Sequence, residues 1–175
     1  MQDIHLSPHF ELHEFTESAT ARRHGIENEP PAEAVENLRA LCVNTLEPLR
    51  KALGMPLFIT SGYRCKALND RVSNHSTRSQ HMNGQAADFC VGHAENEGTS
   101  GFSYRDRLVK AFRTIILDEG IDYDQLIIYP TFIHVSYVRN GKNRKRLTKA
   151  YGNGKYCALT RTNALALLSS HTFIY

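Results

Sequence analysis

A histidine and an aspartate stand seven residues apart in SQHMNGQAADF, Ser79 to Phe89, and another histidine, His134, lies in FIHVSYV. Zinc accepts imidazole nitrogen and carboxylate oxygen, and a catalytic zinc site takes three protein ligands with the fourth position left to water. His81 is expected in a loop and Asp88 on the strand that follows, with Gly84 letting the chain turn back so that the two side chains converge. His134 is the best third candidate, because strand alternation puts Phe132, His134 and Ser136 on one face and Ile133, Val135 and Tyr137 on the other. Spacing alone leaves a second reading open. In a chain with nine histidines, His81 can cap a turn, Asp88 a strand end, and His134 can be one more hydrogen-bonded, half-buried histidine.

The elements that would carry these residues are legible from periodicity. ELHEFTESATARRHG reads as a short helix, with Thr16 or Ser18 near its start and Gly25 as its stop. After Pro30-Pro31, the apolar positions Val35, Leu38, Cys42, Leu46, Leu49 and Leu53 recur every three to four residues, which predicts a helix with one buried face ending at Gly54. MPLFITSG and QAADFCV read as strands, RCKALNDRV as a short helix, and GHAENEGTSG as an exposed loop. SYRD at 103–106 has the form of a capping box, opening a helix that buries Leu108, Phe112, Ile115 and Ile116 and stops at Gly120. DQLIIY and TFIHVSYV, joined at Pro130-Thr131, predict an antiparallel hairpin. Helices first and a mostly antiparallel sheet in the second half argue for an α+β fold.

At 175 residues, the chain has the length of one domain, with enough core to bury roughly 70% of its unfolded surface. Apolar residues make up 41% and charged residues 22%, a globular composition, and no run approaches the eighteen or so apolar residues of a membrane span. Cys42, Cys65, Cys90 and Cys157 form no CxxC pair, so neither a disulfide framework nor a thiolate metal site is expected, and they are read as reduced and mostly buried. The net charge of +3 is uninformative, but RNGKNRKRLTKA, residues 139–150, holds six cations and no acid. Such a segment can meet phosphate or another polyanion, or be a solvated loop after a strand.

SGYRC at 61–65, ALN at 67–69, SQHMNGQAADF at 79–89, DQLI at 124–127 and IHVSY at 133–137 together resemble the zinc D-alanyl-D-alanine carboxypeptidase family. That family includes the vancomycin-resistance dipeptidases and phage L-alanyl-D-glutamate endolysins, and its fold is shared by the Hedgehog signalling domain. The resemblance spans roughly residues 6–147. It implies Zn2+ as cofactor, held by His81, Asp88 and His134, and the stem peptides of bacterial peptidoglycan as substrate. Arg64 matches the arginine that faces the substrate, where a guanidinium can pair a carboxylate or polarise the scissile carbonyl. Ser79 and Gln80, beside the first ligand, and Ser136, on the His134 face, are candidates for holding substrate or orienting the site. Residues 1–150 would form the peptidase-like domain, with 151–175 an extension packing on it.

One position departs from the family. A glutamate, in some members a histidine, usually precedes the last ligand and acts as general base; here Tyr129 lies about where it would fall. A tyrosine is a poor base near neutral pH, although near zinc it can ionise or hydrogen-bond an oxyanion. Asp122, Asp124, His75 and His93 are other sources of a base. Two function classes follow: a zinc peptidase cutting the stem peptide, as a D-Ala-D-Ala carboxypeptidase or L-Ala-D-Glu endopeptidase, or a zinc-containing module that binds cell wall or protein without hydrolysis. Nucleic-acid binding through residues 139–150 is a distant third. MQDIHLSPHFELHEF lacks the basic start and apolar run of a signal peptide. That points to a phage or prophage lysin or tail-associated enzyme, with a bacterial housekeeping protein as the other reading.

Overall fold

The computed structural model describes residues 4–73, 76–92, 103–151 and 154–168. Strands β1 (His5–Ser7) and β2 (Phe10–Glu11) form a small antiparallel pair, followed by helices α1 (Leu12–Thr16) and α2 (Ala19–His24). The short helix expected here is α2, with Ser18 at its start and Gly25 as its stop: the Ser18 hydroxyl accepts from the Ala21 N–H, and Gly25 ends the helix in the left-handed conformation, while α1 ahead of it is an additional helical turn.

The long helix after Pro31 runs as α3 (Ala32–Leu41), one π-helical turn (Cys42–Leu46) and α4 (Glu47–Leu53). The wide turn rotates the buried stripe, so that Leu38, Leu41, Cys42, Leu46 and Leu49 are all shut off from solvent. β3 (Leu57–Ser61), α5 (Lys66–Asn69), a 3-10 turn (Gln80–Asn83), β4 (Ala86–Val91) and α6 (Tyr104–Leu117) follow. Ser103 and Asp106 form the expected capping box of α6, which ends at Leu117, ahead of Gly120. β5 (Gln125–Ile128) and β6 (Ile133–Ser136) are the expected hairpin.

The chain then adds two strands that periodicity missed: β7 (Arg146–Ala150) pairs parallel with β5, and β8 (Tyr156–Leu159) pairs antiparallel with β7. ALALL lies in the helix α7 (Arg161–Leu168), which buries Ala164 in the core cluster. Part of the segment expected as a solvated loop is therefore a strand; Leu147 and Ala150 are buried while Arg146 stays exposed. The six-stranded sheet has the order β3-β4-β6-β5-β7-β8, and only β5-β7 is parallel. The fold is α+β, as expected.

α3, α4 and α6 cover one face of this sheet. Phe89, Leu126, Ile128, Ile133 and Val135 meet Leu38, Leu108, Phe112 and Ile115 there in one core. The other face is partly open, and register lines up one row of residues across it: Ser61, Asp88, His134, Ile127 and Thr148 on β3, β4, β6, β5 and β7. Side chains directly opposite on neighbouring strands point to the same face. Among the described residues no helix is long and apolar enough to cross a membrane. All four cysteines are free; only Cys42 is buried, Cys65 and Cys90 are half-buried and Cys157 is exposed, so the expectation of mostly buried thiols holds for one.

Candidate metal centre

His81, Asp88 and His134 come together on the open face of the sheet. Asp88 and His134 are register partners on adjacent strands, with Asp88 Oδ1 2.8 Å from His134 Nδ1. His81 arrives from the 3-10 turn before β4, its Nε2 3.2 Å from His134 Nδ1 and 3.4 Å from Asp88 Oδ1. These separations bracket about 3.3 Å, the edge of a tetrahedron with arms of about 2.0–2.1 Å, the usual zinc–nitrogen and zinc–oxygen lengths.

Two glycines make the approach of His81 possible. Gly84 ends the turn in the left-handed conformation (φ 66°), and a Cβ there would run into the Ala34 carbonyl. Gly62 lies so close to Phe15 that any side chain would strike the backbone of α1. Its carbonyl oxygen lies 2.6 Å from His81 Nδ1, and the Arg64 N–H donates to the His81 carbonyl at 3.2 Å. Since a carbonyl only accepts, His81 Nδ1 carries the proton and Nε2 is the bare nitrogen turned toward Asp88 and His134.

Electrostatics agrees with this donor set. Complete burial pulls the His81 imidazole below its ordinary value, against the opposing pull of Asp88, so the ring is neutral as a ligand must be. Burial by itself would raise the Asp88 carboxyl, but His81 and His134 beside it hold it well below the usual carboxylate range. Two neutral-capable imidazoles and one ionised carboxylate, with one side open to a cleft, fit zinc.

A cleft of about 980 Å³ opens over the triad and is lined by Arg64, Ser79, Gln80 and Tyr129 among others. Arg64 is half-buried, with its Nε shielded from solvent and without a hydrogen-bond partner among the described residues. Desolvation pulls its guanidinium down from its ordinary value, against Asp88 and Tyr129, and an arginine nevertheless stays charged. Ser79 lies half-buried at the mouth of the 3-10 turn. Gln80 reaches sideways, its amide donating to Asp124 Oδ2 at 3.0 Å. Ser136, expected to line the groove, is instead fully buried, and its hydroxyl accepts from the Gln125 N–H at 3.1 Å, tying β6 to β5.

Tyr129 stacks on Phe132 with ring centroids 4.2 Å apart, and its hydroxyl lies 3.3 Å from that of Tyr156. Burial first, then Tyr156 and Asp88, push its phenol far above the ordinary value. Without a metal cation beside it, the phenol is a hydrogen-bond donor and not a base at neutral pH. Asp124 has its carboxylate engaged by the Arg144 guanidinium, the Arg144 N–H and Gln80. Asp122 holds Lys145 Nζ at 2.6 Å and Asn143 at 2.8 Å and does not line the cleft. His75 and His93 lie outside the described residues. Among the described residues, Asp88 and Asp124 are the acids that line the cleft.

Three contributors escaped sequence reasoning. Gly62 is inside the SGYR motif, yet the role of its carbonyl needs the tertiary fold. Tyr156 lies where periodicity and spacing carry no signal, and although Asp124 stands in DQLI and Arg144 in the basic segment, nothing in the spacing pairs them.

No curated protein matches the chain. A family model described as Peptidase M15 matches residues 8–110, which include Arg64, His81 and Asp88, whereas His134 comes from the chain beyond it. That span is more than half of the 175 residues, and the chain belongs to the Peptidase M15 family.

Proposed function

We propose that this protein is a zinc-dependent peptidase hydrolysing peptide bonds in the stem peptides of bacterial peptidoglycan. The observation that carries the reading is the triad: His81 Nε2, Asp88 Oδ1 and His134 Nδ1 converge at tetrahedral-edge distances beneath an open cleft. Membership of the peptidase family supplies the reaction class.

Zinc, when bound, supplies Lewis acidity toward water and the scissile carbonyl. The protein's own residues do the rest. The Gly62 carbonyl fixes the His81 tautomer and ring orientation. Arg64, charged and with a shielded, unpartnered Nε, holds a substrate carbonyl or carboxylate and stabilises negative charge as it develops. Tyr129, held as a neutral phenol, donates a hydrogen bond to the same developing charge. Ser79 and Gln80 flank the first ligand and contact substrate from the cleft wall.

A second reading is favoured by one observation. Among the described residues the acids at the cleft are Asp88, which belongs to the triad, and Asp124, which is occupied by Arg144 and Gln80, so neither is a free general base. A metal-holding module that binds cell wall or protein without hydrolysis has this constitution. The discriminating experiment incubates zinc-loaded protein with defined muropeptides, reads products by mass spectrometry, and uses His81→Ala as control. A fragment that appears with the native chain and disappears in the variant supports the peptidase and names its bond. One zinc per chain with no fragment from any substrate selects the binding module.

A further inference from the structure

The cleft over the triad does not end at the triad. A second hollow of about 830 Å³ lies on its other side, bounded by the β3 strand residues Phe58 and Thr60 and by α1 and α2. The two hollows share Arg64, Val72, Asp88 and Phe132 as lining residues, so they meet beside the triad, at Asp88 and Arg64. Strand order turns this into a direction. One hollow lies toward β3 at one sheet edge and the other toward β5, β7 and β8 at the opposite edge, with Asp88 and His134 on β4 and β6 between them. Six strands spaced about 4.8 Å apart span roughly 24 Å, the length of about seven extended residues.

The two halves differ in charge. The β7 half carries Arg78, Lys142 and Arg146, exposed and without ion pairs among the described residues, in addition to Arg144, which is paired with Asp124. The β3 half carries Glu14 and Glu17 with Arg22, whose guanidinium is 3.9 Å from Glu17. Phe58, about half exposed on the β3 side, and Phe132 at the junction add apolar surface for side chains or backbone to lie on. A site for releasing one terminal residue needs a wall just beyond the metal, and among the described residues the lining instead continues past Asp88 along β3, α1 and α2.

We propose that the groove takes an extended peptide across the triad, with residues bound on both sides of the cleaved bond and the peptide's carboxylates lying toward Arg78, Lys142 and Arg146. This rests on the peptidase reading and deepens it: cleavage is internal, and Arg78 ahead of the 3-10 turn, with Lys142 and Arg146 from β7 and its preceding loop, beyond the family match, selects the anionic end of the substrate. Charges placed this way set partner choice and orientation more than raw affinity.

The test uses one wall stem peptide in three forms: with free termini, acetylated and amidated at its two ends, and end-capped with its side-chain carboxylates also converted to amides. Turnover by the zinc-loaded full chain is followed by mass spectrometry, and binding to the His81→Ala variant by calorimetry. The expected result is that the end-capped peptide is cut within about threefold of the free one. Amidation of its carboxylates, or Arg146→Ala with Arg78→Ala, raises KM and Kd about tenfold, and the two changes together add little more. Cleavage confined to peptides with free termini overturns the proposal, as does a double variant that weakens the carboxylate and amide forms equally. If no form is cut, calorimetry separates the two failures. Carboxylate-selective binding of the end-capped peptide, lost in Arg146→Ala, upholds the groove while the hydrolytic reading falls; absence of binding removes both.

Discussion

The carbonyl oxygen of Gly62 lies 2.6 Å from Nδ1 of His81, and this bond decides which nitrogen the histidine presents to Asp88 and His134. It links the SGYR turn after β3 to the 3-10 turn before β4, so the geometry of the triad depends on how two separate segments pack. Gly62→Ala places a methyl against the Phe15 backbone. The expected outcome is zinc affinity about 10- to 100-fold weaker and stability lower by about 1–3 kcal/mol, read by competition with a chromogenic chelator and by urea unfolding. Native metal affinity in a folded Gly62→Ala protein would show that the carbonyl does not orient the ligand.

Zinc is expected at one ion per chain by elemental analysis of protein purified without chelator. His81→Ala, Asp88→Ala and His134→Ala should each weaken it by at least about 100-fold. Removing zinc with a chelator should lower the Tm, because an ion that binds only the folded chain stabilises it by mass action. A Tm insensitive to both zinc and chelator would contradict a resident metal.

Tyr129 and Tyr156 sit with their hydroxyls 3.3 Å apart, and burial pushes the Tyr129 phenol above its ordinary value. Tyr129→Phe should lower kcat by about 10- to 100-fold, the loss of one donor to a developing oxyanion, without moving either limb of the pH–rate profile between pH 6 and 9. Tyr156→Phe should give a smaller loss in the same direction. A basic limb that disappears in Tyr129→Phe would mean that this phenol ionises during turnover. Tyr129→Glu should raise kcat if the absent carboxylate limits the rate; an unchanged or lower kcat would place the base elsewhere.

Asp124 is 1% exposed and receives hydrogen bonds from Arg144 and Gln80. Burial would raise its carboxyl, but these partners hold it below its ordinary 3.8. A carboxyl lowered in the folded state favours folding at every pH above the unfolded value, and that contribution is lost as pH falls through the lower folded value. Asp124→Asn should therefore cost about 1–3 kcal/mol at pH 7, with the gap between variant and native chain narrowing as pH falls below the ordinary 3.8. Denaturant unfolding across that range checks it. A gap that stays constant to pH 2 would mean that the carboxylate charge plays no part.

Much of this protein is legible one residue at a time. The apolar spacing of 32–53, the Ser103–Asp106 capping box and the alternation in DQLIIY and TFIHVSYV report local forces: burial of a stripe, satisfaction of helix-end N–H groups, the two-residue period of a strand. The candidate ligands could be named for the same reason, since a histidine and an aspartate around a glycine turn, with a further histidine on a strand, are a local pattern with a metal chemistry. Other features depend on partners distant in sequence. β7 became a strand through the edge that β5 offers it, Ser136 was buried by pairing with Gln125, and Tyr156 met Tyr129 only because β8 closes the sheet beyond β7. The tautomer of His81, the engagement of Asp124 and the groove running to both sides of the triad belong to that second group. Each depends on a carbonyl, a cation or a strand edge from another part of the chain, and no spacing within a single segment encodes where that partner will lie.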